Sequence, residues 1–135
     1  MPTAVEDKEA IREVLAEYCF RLDDGRFAEM AALFTEDGTW DTAFGKATGR
    51  TAIAELASSL RMRAQQPRPR AVHLVTNIAI ALDGESAGVR SNWMVMQNNP
   101  LGPRIGSGGA YLDDMVRAEG RWLFRYRKID RFIVP

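Results

Sequence analysis

The second half of the sequence alternates apolar and polar residues with a period of two. This alternation is typical of β-strands, because successive side chains of a strand point to opposite faces of its sheet. The pattern predicts four long strands, over residues 71–82, 87–97, 105–116 and 122–134. Asp83-Gly84 is a typical hairpin turn, and the other two connections are short as well. The four runs therefore predict an antiparallel meander.

The first half of the sequence has a helical pattern instead. Thr3 and Glu6 have the spacing of a capping box, which predicts a helix that begins near Val5 and stops before Gly25. Its apolar residues recur every three or four positions, at Ile11, Val14, Leu15, Tyr18 and Leu22. Two more helices are predicted over 27–34 and 50–63, with a turn at 35–38 and a short strand at 39–49 between them. Helices followed by a meander predict one α+β domain over residues 1–135, with the helices on one face of the sheet.

The first long strand is predicted to have two covered faces. One face combines small residues with His73 and Asn77, which suits the wall of a cavity. The other face is large and apolar, and the helices can cover only one of the two. We therefore expect a homodimer formed through the apolar face, by Val72, Leu74, Ile78 and Ile80.

Composition and charge argue against several classes of function. The chain has 18 basic and 18 acidic residues, so its net charge favours neither nucleic acid nor a membrane surface as a partner. The arginine-rich runs at 61–70 and 125–131 are expected to be solvated. No stretch approaches the ~20 apolar residues of a membrane span, and the polar N-terminus is unlike a signal peptide, so we expect a cytoplasmic protein.

No metal or other cofactor is expected. The single cysteine, Cys19, excludes an internal disulfide and a cysteine-based metal cluster. No residues cluster with the spacing of metal ligands. The glycines of 106–111 begin a predicted strand rather than a helix, which argues against a phosphate-binding loop.

Six motifs in order resemble the nuclear-transport-factor-2-like (SnoaL-like) superfamily. They are YCFRLDDGRF, LFTEDGTW, GRTAIAEL, HLVTNIAI, GGAYLDD and EGRWLFRYRKI, and together they span nearly the whole chain. The resemblance implies a cone-shaped roll of the cystatin-like type, in which a strongly curved antiparallel sheet is wrapped by three N-terminal helices.

One similar branch contains scytalone dehydratase, bile-acid 7α-dehydratase and hexachlorocyclohexane dehydrochlorinase, which eliminate without a cofactor. Asp23, His73 and Tyr18 match the aspartate, histidine and tyrosine or lysine that act in that branch. The resemblance also implies substrate contacts by Tyr111, after the paired glycines, and by Arg127 in the last strand. The second acid or histidine that the dehydratases use on the second long strand has no counterpart in WMVMQ, residues 93–97.

The other similar branch is the small (β) subunit of aromatic-ring-hydroxylating dioxygenases, in which the corresponding residues are largely structural. A noncatalytic subunit or a module that binds a hydrophobic ligand is therefore the alternative to an enzyme. Simpler roles are open for single residues too. His73 could be a core histidine, and Tyr18 could serve core packing alone. Asp23 could cap a turn or form an ion pair with Arg21 or Arg26.

The catalytic interpretation is a cofactor-independent lyase or isomerase. Asp23 would fix the tautomer of His73, which would abstract a proton from a carbon acid. Tyr18 would donate a hydrogen bond or proton to the departing oxygen or to an enolate oxygen. The other residues predicted to line the site are Phe27, Trp40, Leu56, Leu60, Val75, Asn77, Trp93 and Val95, with Tyr111 and Arg127. This mostly apolar set predicts a hydrophobic, ring-containing substrate.

Overall fold

Helices precede a meander of strands, in the predicted order. The structure is a computed structural model that describes residues 1–64 and 66–135. Its elements are α1 (Ala4–Asp23), α2 (Phe27–Ala31), β1 (Phe34–Thr42), β2 (Gly45–Thr48), α3 (Arg50–Arg63), β3 (Ala71–Asp83), β4 (Ser86–Gln97), β5 (Arg104–Ala118) and β6 (Arg121–Ile133). The predicted second helix is shorter than expected, and the predicted turn at 35–38 lies within β1. Of the helices described, none is long and apolar enough to cross a membrane.

Helix α1 begins and ends for the predicted reasons. The Thr3 hydroxyl accepts from the Glu6 backbone N–H at 3.1 Å, and the Glu6 carboxylate accepts from the Thr3 backbone N–H at 2.8 Å. The two bonds form a complete capping box. Gly25 follows the helix with a φ of +74°, which glycine adopts without strain. Ile11, Leu15 and Tyr18 of the apolar stripe are buried, and Val14 and Leu22 are partly buried against the core.

The six strands form one open sheet, in the order β2-β1-β6-β5-β4-β3. Strands β3 to β6 are the predicted antiparallel meander. Strand β1, however, pairs with β6 in parallel, with Trp40 opposite Arg127. The sheet is therefore mixed rather than wholly antiparallel. An alternating pattern reports which face a side chain takes but carries no information on strand direction.

A bulge in β3 makes the predicted alternation of its faces wrong beyond Thr76. The pairing with β4 shifts between Thr76 and Ala79, and Asn77 has a φ of +55°. One extra residue moves every following side chain to the opposite face. Ile78 and Ile80 consequently pack against the core and do not join Val72 and Leu74 on the outer face. The predicted dimer face is thus wrong for these two isoleucines.

The helices lie against the sheet at two places. Helix α1 packs on β3 and β6, whereas α3 packs on β1 and β2. The two helices end close to each other, since the guanidinium of Arg61 at the end of α3 donates to the carbonyl of Leu22 in the last turn of α1 at 2.8 Å. The end of α1 in turn contacts the start of β3, because the His73 backbone N–H donates to Asp23. This convergence creates the space described next.

Candidate active site

The end of α1 meets the start of β3 through Asp23 and His73. Asp23 Oδ1 lies 2.6 Å from His73 Nδ1, and Asp23 Oδ2 accepts a hydrogen bond from the His73 backbone N–H at 2.8 Å. A carboxylate in contact with Nδ1 favours the tautomer that carries its proton on Nδ1. The other ring nitrogen, Nε2, is then free to accept a proton.

The simpler partners considered for Asp23 are engaged elsewhere. Arg21 forms an ion pair with Glu17, and Arg26 forms one with Glu29. The neighbouring acid, Asp24, is exposed. A carboxylate in the last turn of a helix is unfavourable beside the negative end of the helix dipole. The guanidinium of Arg61, which donates to the carbonyl of Leu22, offsets this effect at the end of α1.

A cavity of about 410 Å³ opens beside His73. Its volume lies within the range of small-molecule sites, roughly 300–1,000 Å³. The predicted site residues that line it are Tyr18, Phe27, Trp40, Leu60, His73, Trp93, Val95 and Tyr111. Aromatic rings and aliphatic side chains thus form most of the wall around one histidine. Among the residues described, no three His, Cys, Asp or Glu side chains lie close enough together to hold a metal ion.

Several predicted lining residues do not reach the cavity. Leu56 packs beside Gly45, and Val75 packs against the core. Asn77 is exposed in the bulge of β3, so the register shift removes it from the site. Asp23 acts on the cavity only through His73. For these residues the sequence identified the strand or helix correctly but not the side-chain position.

Sequence reasoning missed a second group of residues that line the cavity. The additional lining residues are Leu22, Thr42, Ala43, Phe44, Ala57, Arg61, Ala64, Arg68, Pro69, Ala71, Gln97, Ile129 and Arg131. They come from the last turn of α1, from the end of β1 and the turn after it, from α3 and the segment after it, and from β3, β4 and β6. The arginine-rich run at 61–70 was the one signal for them. Arg63 and Arg70 of this run are exposed, as expected, whereas Arg61 and Arg68 are partly buried in the lining of the cavity.

Tyr18 lines the cavity, and its hydroxyl group keeps a hydrogen that its bond with Trp40 does not use. It has no exposed surface, and its hydroxyl accepts a hydrogen bond from Trp40 Nε1 at 2.9 Å. An indole N–H is only a donor, so the hydroxyl hydrogen of Tyr18 is not used in this bond. Burial raises the pKa of Tyr18, against the opposing charge of Arg127. The phenol is therefore protonated at neutral pH and can donate to a ligand oxygen.

Arg127 is a buried structural cation and does not line the cavity. Its guanidinium carbon lies 3.6 Å from the ring centroid of Tyr111 and 4.2 Å from that of Tyr18. Arg127 Nε donates to Asp113 Oδ1 at 2.9 Å, whereas Nη1 has no hydrogen-bond partner. Burial raises the pKa of the Asp113 carboxyl to about 6, although Arg127 opposes this. The expectations of direct substrate contact and of solvation are both wrong, because the fold encloses this side chain among aromatic rings.

Solved structures with the same architecture include three proteins from Novosphingobium aromaticivorans. The first is an NTF2-like protein with a cystatin-like fold, which is 26% identical, with a TM-score of 0.82 over 92% of this chain and 80% of that chain. The second is a scytalone dehydratase-like protein, which is 27% identical, with a TM-score of 0.76 over 93% and 84% of the two chains. The third is the β subunit assigned to an aromatic-ring-hydroxylating dioxygenase, at 20% identity and a TM-score of 0.78 over 94% and 90%. That likeness shows the fold alone.

The comparison with family profiles covers nearly the whole chain. No functionally curated protein sequence matches it. The profile described as a SnoaL-like domain matches residues 3–128, which include both helix α1 with Asp23 and strand β3 with His73. The α+β architecture and the profile agree, and the chain belongs to the SnoaL-like family.

Proposed function

We propose that this protein is a cofactor-independent lyase or isomerase that acts on a hydrophobic, ring-containing small molecule. The observation that carries the proposal is the 2.6 Å contact between Asp23 and His73 at the wall of an aromatic cavity. A base held by a carboxylate in a cavity of this kind is suited to removing a proton from carbon. Such a base contributes about 10²- to 10⁴-fold in rate.

In the proposed reaction, His73 Nε2 takes a proton from a carbon next to a carbonyl or hydroxyl-bearing centre. The carbon–hydrogen bond breaks and its electron pair forms a carbon–carbon double bond. In an elimination, the neighbouring carbon–oxygen bond breaks and the departing oxygen takes the proton of Tyr18, so that water leaves. The imidazolium then returns its proton to the tyrosinate. Asp23 stabilises the imidazolium while it exists.

Exchange of a carbon-bound proton tests the base directly. We would incubate the protein with 1-tetralone, a ring ketone with acidic hydrogens beside its carbonyl, in deuterium oxide and follow deuterium incorporation by NMR. The wild-type chain should accelerate the exchange over buffer. His73→Gln should abolish the acceleration while circular dichroism shows an unchanged fold. Retention of more than about a tenth of the wild-type rate would sink the base assignment.

A module that binds a hydrophobic ligand without turnover is the second candidate function. One observation favours it: the inner face of β4 presents Trp93 and Val95 to the cavity, so this strand offers no second acid or base there. Ligand capture with no acceleration of proton exchange by the wild-type chain would support this candidate. Copurification with a large iron-containing oxygenase subunit would instead support a noncatalytic subunit.

A further inference from the structure

Three arginines line the cavity that contains His73. They are Arg61 at the end of α3, Arg68 in the segment that follows, and Arg131 near the end of β6. Among the residues described, the lining contains no aspartate or glutamate. A guanidinium stays charged at any ordinary pH. The cavity therefore combines an aromatic wall with a net positive charge.

Within residues 1–64 and 66–135 these three arginines form no ion pair, and this is also true of Arg63, Arg70, Arg90 and Arg104 but not of the other arginines. Arg50 pairs with Glu119, Arg117 with Asp7 and Arg125 with Asp114. None of the ion pairs within the described chain involves Arg61, Arg68 or Arg131.

Arg61 and Arg68 lie near each other, so their like charges repel. Burial, and then the charge of Arg68, lower the pKa of Arg61. The nearby Asp23 acts in the opposite direction, but its two oxygens are occupied by His73. Partly buried cations without a counter-ion favour an anion supplied from outside the chain.

Two of these guanidinium groups each lie near the face of an aromatic ring. Arg61 lies 5.2 Å from the ring centroid of Phe27, and Arg131 lies 5.2 Å from that of Phe44. Both rings line the same cavity. At this distance a guanidinium is attracted to the ring face, and its remaining N–H groups can still bind a carboxylate, two of them at once.

We infer that the molecule bound in this cavity is a hydrophobic carboxylate. Its ring system would pack on the aromatic wall beside Trp93 and Tyr111. Its anionic group would be held by the three arginines that line the cavity. The inference rests on the proposed function in one respect, since it names the substrate class of the same site. It concerns the binding of that substrate and not its turnover. The positive charge favours an anionic group and the apolar wall favours a ring system. Together they select a molecule that has both groups.

A pair of matched probes separates the charge from the ring system. Isothermal titration calorimetry would compare 2-naphthoate with 2-naphthamide, which has the same rings and nearly the same shape but no charge. We expect the wild-type chain to bind 2-naphthoate at least about fivefold more tightly at low salt, since each partly exposed ion pair contributes about 0.2–1 kcal/mol. The preference should shrink as salt rises and screens the charges.

Substitutions at Arg68 and Arg131 test whether the preference for 2-naphthoate over 2-naphthamide arises in the cavity. R68Q and R131Q should each weaken 2-naphthoate binding about two- to fivefold and leave 2-naphthamide binding unchanged. The matched controls are R70Q, in the same segment as Arg68, and R90Q on β4, because both arginines are exposed and neither lines the cavity. Arg61 is unsuitable, since its bond to the Leu22 carbonyl supports the end of α1.

Three results would overturn the inference. They are equal affinity for the two probes, a preference that survives in the R68Q/R131Q double variant, and no saturable binding of 2-naphthoate up to about 1 mM, the weak limit of specific recognition. Calorimetry needs no turnover, so a failure of the proton-exchange assay would leave this result standing. Loss of the charge preference would equally leave the base assignment untouched.

Discussion

One carboxylate, that of Asp23, holds His73 by both its ring and its backbone. Oδ1 lies 2.6 Å from Nδ1 and Oδ2 lies 2.8 Å from the backbone nitrogen. The end of α1 and the start of β3 are therefore joined at the residue proposed as the base. Movement of the helix end would change the position and the tautomer of the imidazole together.

Asp23→Asn should reduce proton exchange on 1-tetralone by about 10²-fold or more, because an amide can turn its NH₂ group to Nδ1 and reverse the tautomer. The measurement is the NMR exchange rate at neutral pH. Asp24→Asn is the matched control, since Asp24 is the adjacent carboxylate and is exposed. Equal losses in the two variants would indicate a general charge effect and contradict the orienting role.

Tyr18→Phe should reduce turnover of an eliminating substrate at least about tenfold, because it removes the proton donor proposed for the departing oxygen. The ring itself stays, and so do its contacts with Arg127. The substitution also leaves Trp40 Nε1 without its acceptor, so the free energy of unfolding should fall by about 1–3 kcal/mol. Steady-state kinetics and urea denaturation measure the two effects separately. An unchanged rate in a destabilised variant would assign Tyr18 to packing alone.

Arg127→Met should lower the free energy of unfolding by about 3–5 kcal/mol, because it leaves Asp113 buried without its partner. Replacing Asp113 by Leu in the same chain should recover most of the loss. Arg125→Met is the control. Arg125 on β6 pairs with Asp114 on β5, the two side chains are about half exposed, and the expected change is within about 1 kcal/mol. A similar effect of both single substitutions in urea denaturation would refute the buried ion pair as a stabilising contact.

The stability of the chain should depend on pH through Asp7. Asp7 accepts hydrogen bonds from Arg117 at 2.5 Å and from Trp122 at 3.1 Å, and the bond from Arg117 is the main cause that lowers its pKa. The unfolded chain therefore binds a proton more readily than the folded chain. The stabilisation is fully present above the unfolded pKa, about 3.9, and is lost as the pH falls through the lower folded value.

Urea denaturation of the wild type and Asp7→Asn at pH 7, 5, 4 and 3 checks this linkage. The wild type should be the more stable at pH 7, and the difference should stay constant down to about pH 5 and then shrink. A difference that grows as the pH falls would contradict the assigned direction of the shift.

We propose that the outer face of β3 and β4 mediates a homodimer. Val72 lies opposite Met96 and Leu74 lies opposite Met94, and Val72 and Met96 are exposed. Light scattering after size exclusion should give twice the chain mass for the wild type and the single mass for Val72→Asp. Thr51→Asp, an exposed position on α3, is the control. A wild-type monomer at about 100 µM would refute this proposal, because obligate interfaces persist at such concentrations.

Local patterns in the sequence were sufficient for most of the secondary structure. The capping box at Thr3, the span of α3 and the meander from Ala71 onward all follow from interactions between residues close in the chain. The pairing of Asp23 with His73 was also anticipated, but only because the ordered motifs resemble a known superfamily. Periodicity alone does not bring together two residues fifty positions apart.

Contacts between distant segments decided the rest. The bulge at Asn77 could not be predicted from the pattern, because the run of apolar residues continues through it. Asparagine also adopts the left-handed backbone conformation with little steric penalty, so no glycine marks the position. The parallel pairing of β1 with β6 depends on strand direction, which no side-chain pattern encodes. Through folding, Arg127 became a buried cation, and Arg61, Arg68 and Arg131 came to line one cavity. The sequence by itself determined most of the elements, and its resemblance to a known superfamily pointed to the residue proposed as the base and to its carboxylate. Tertiary packing decided which charges are buried, which are paired and which face the cavity, because burial and pairing depend on neighbours that only the folded chain supplies.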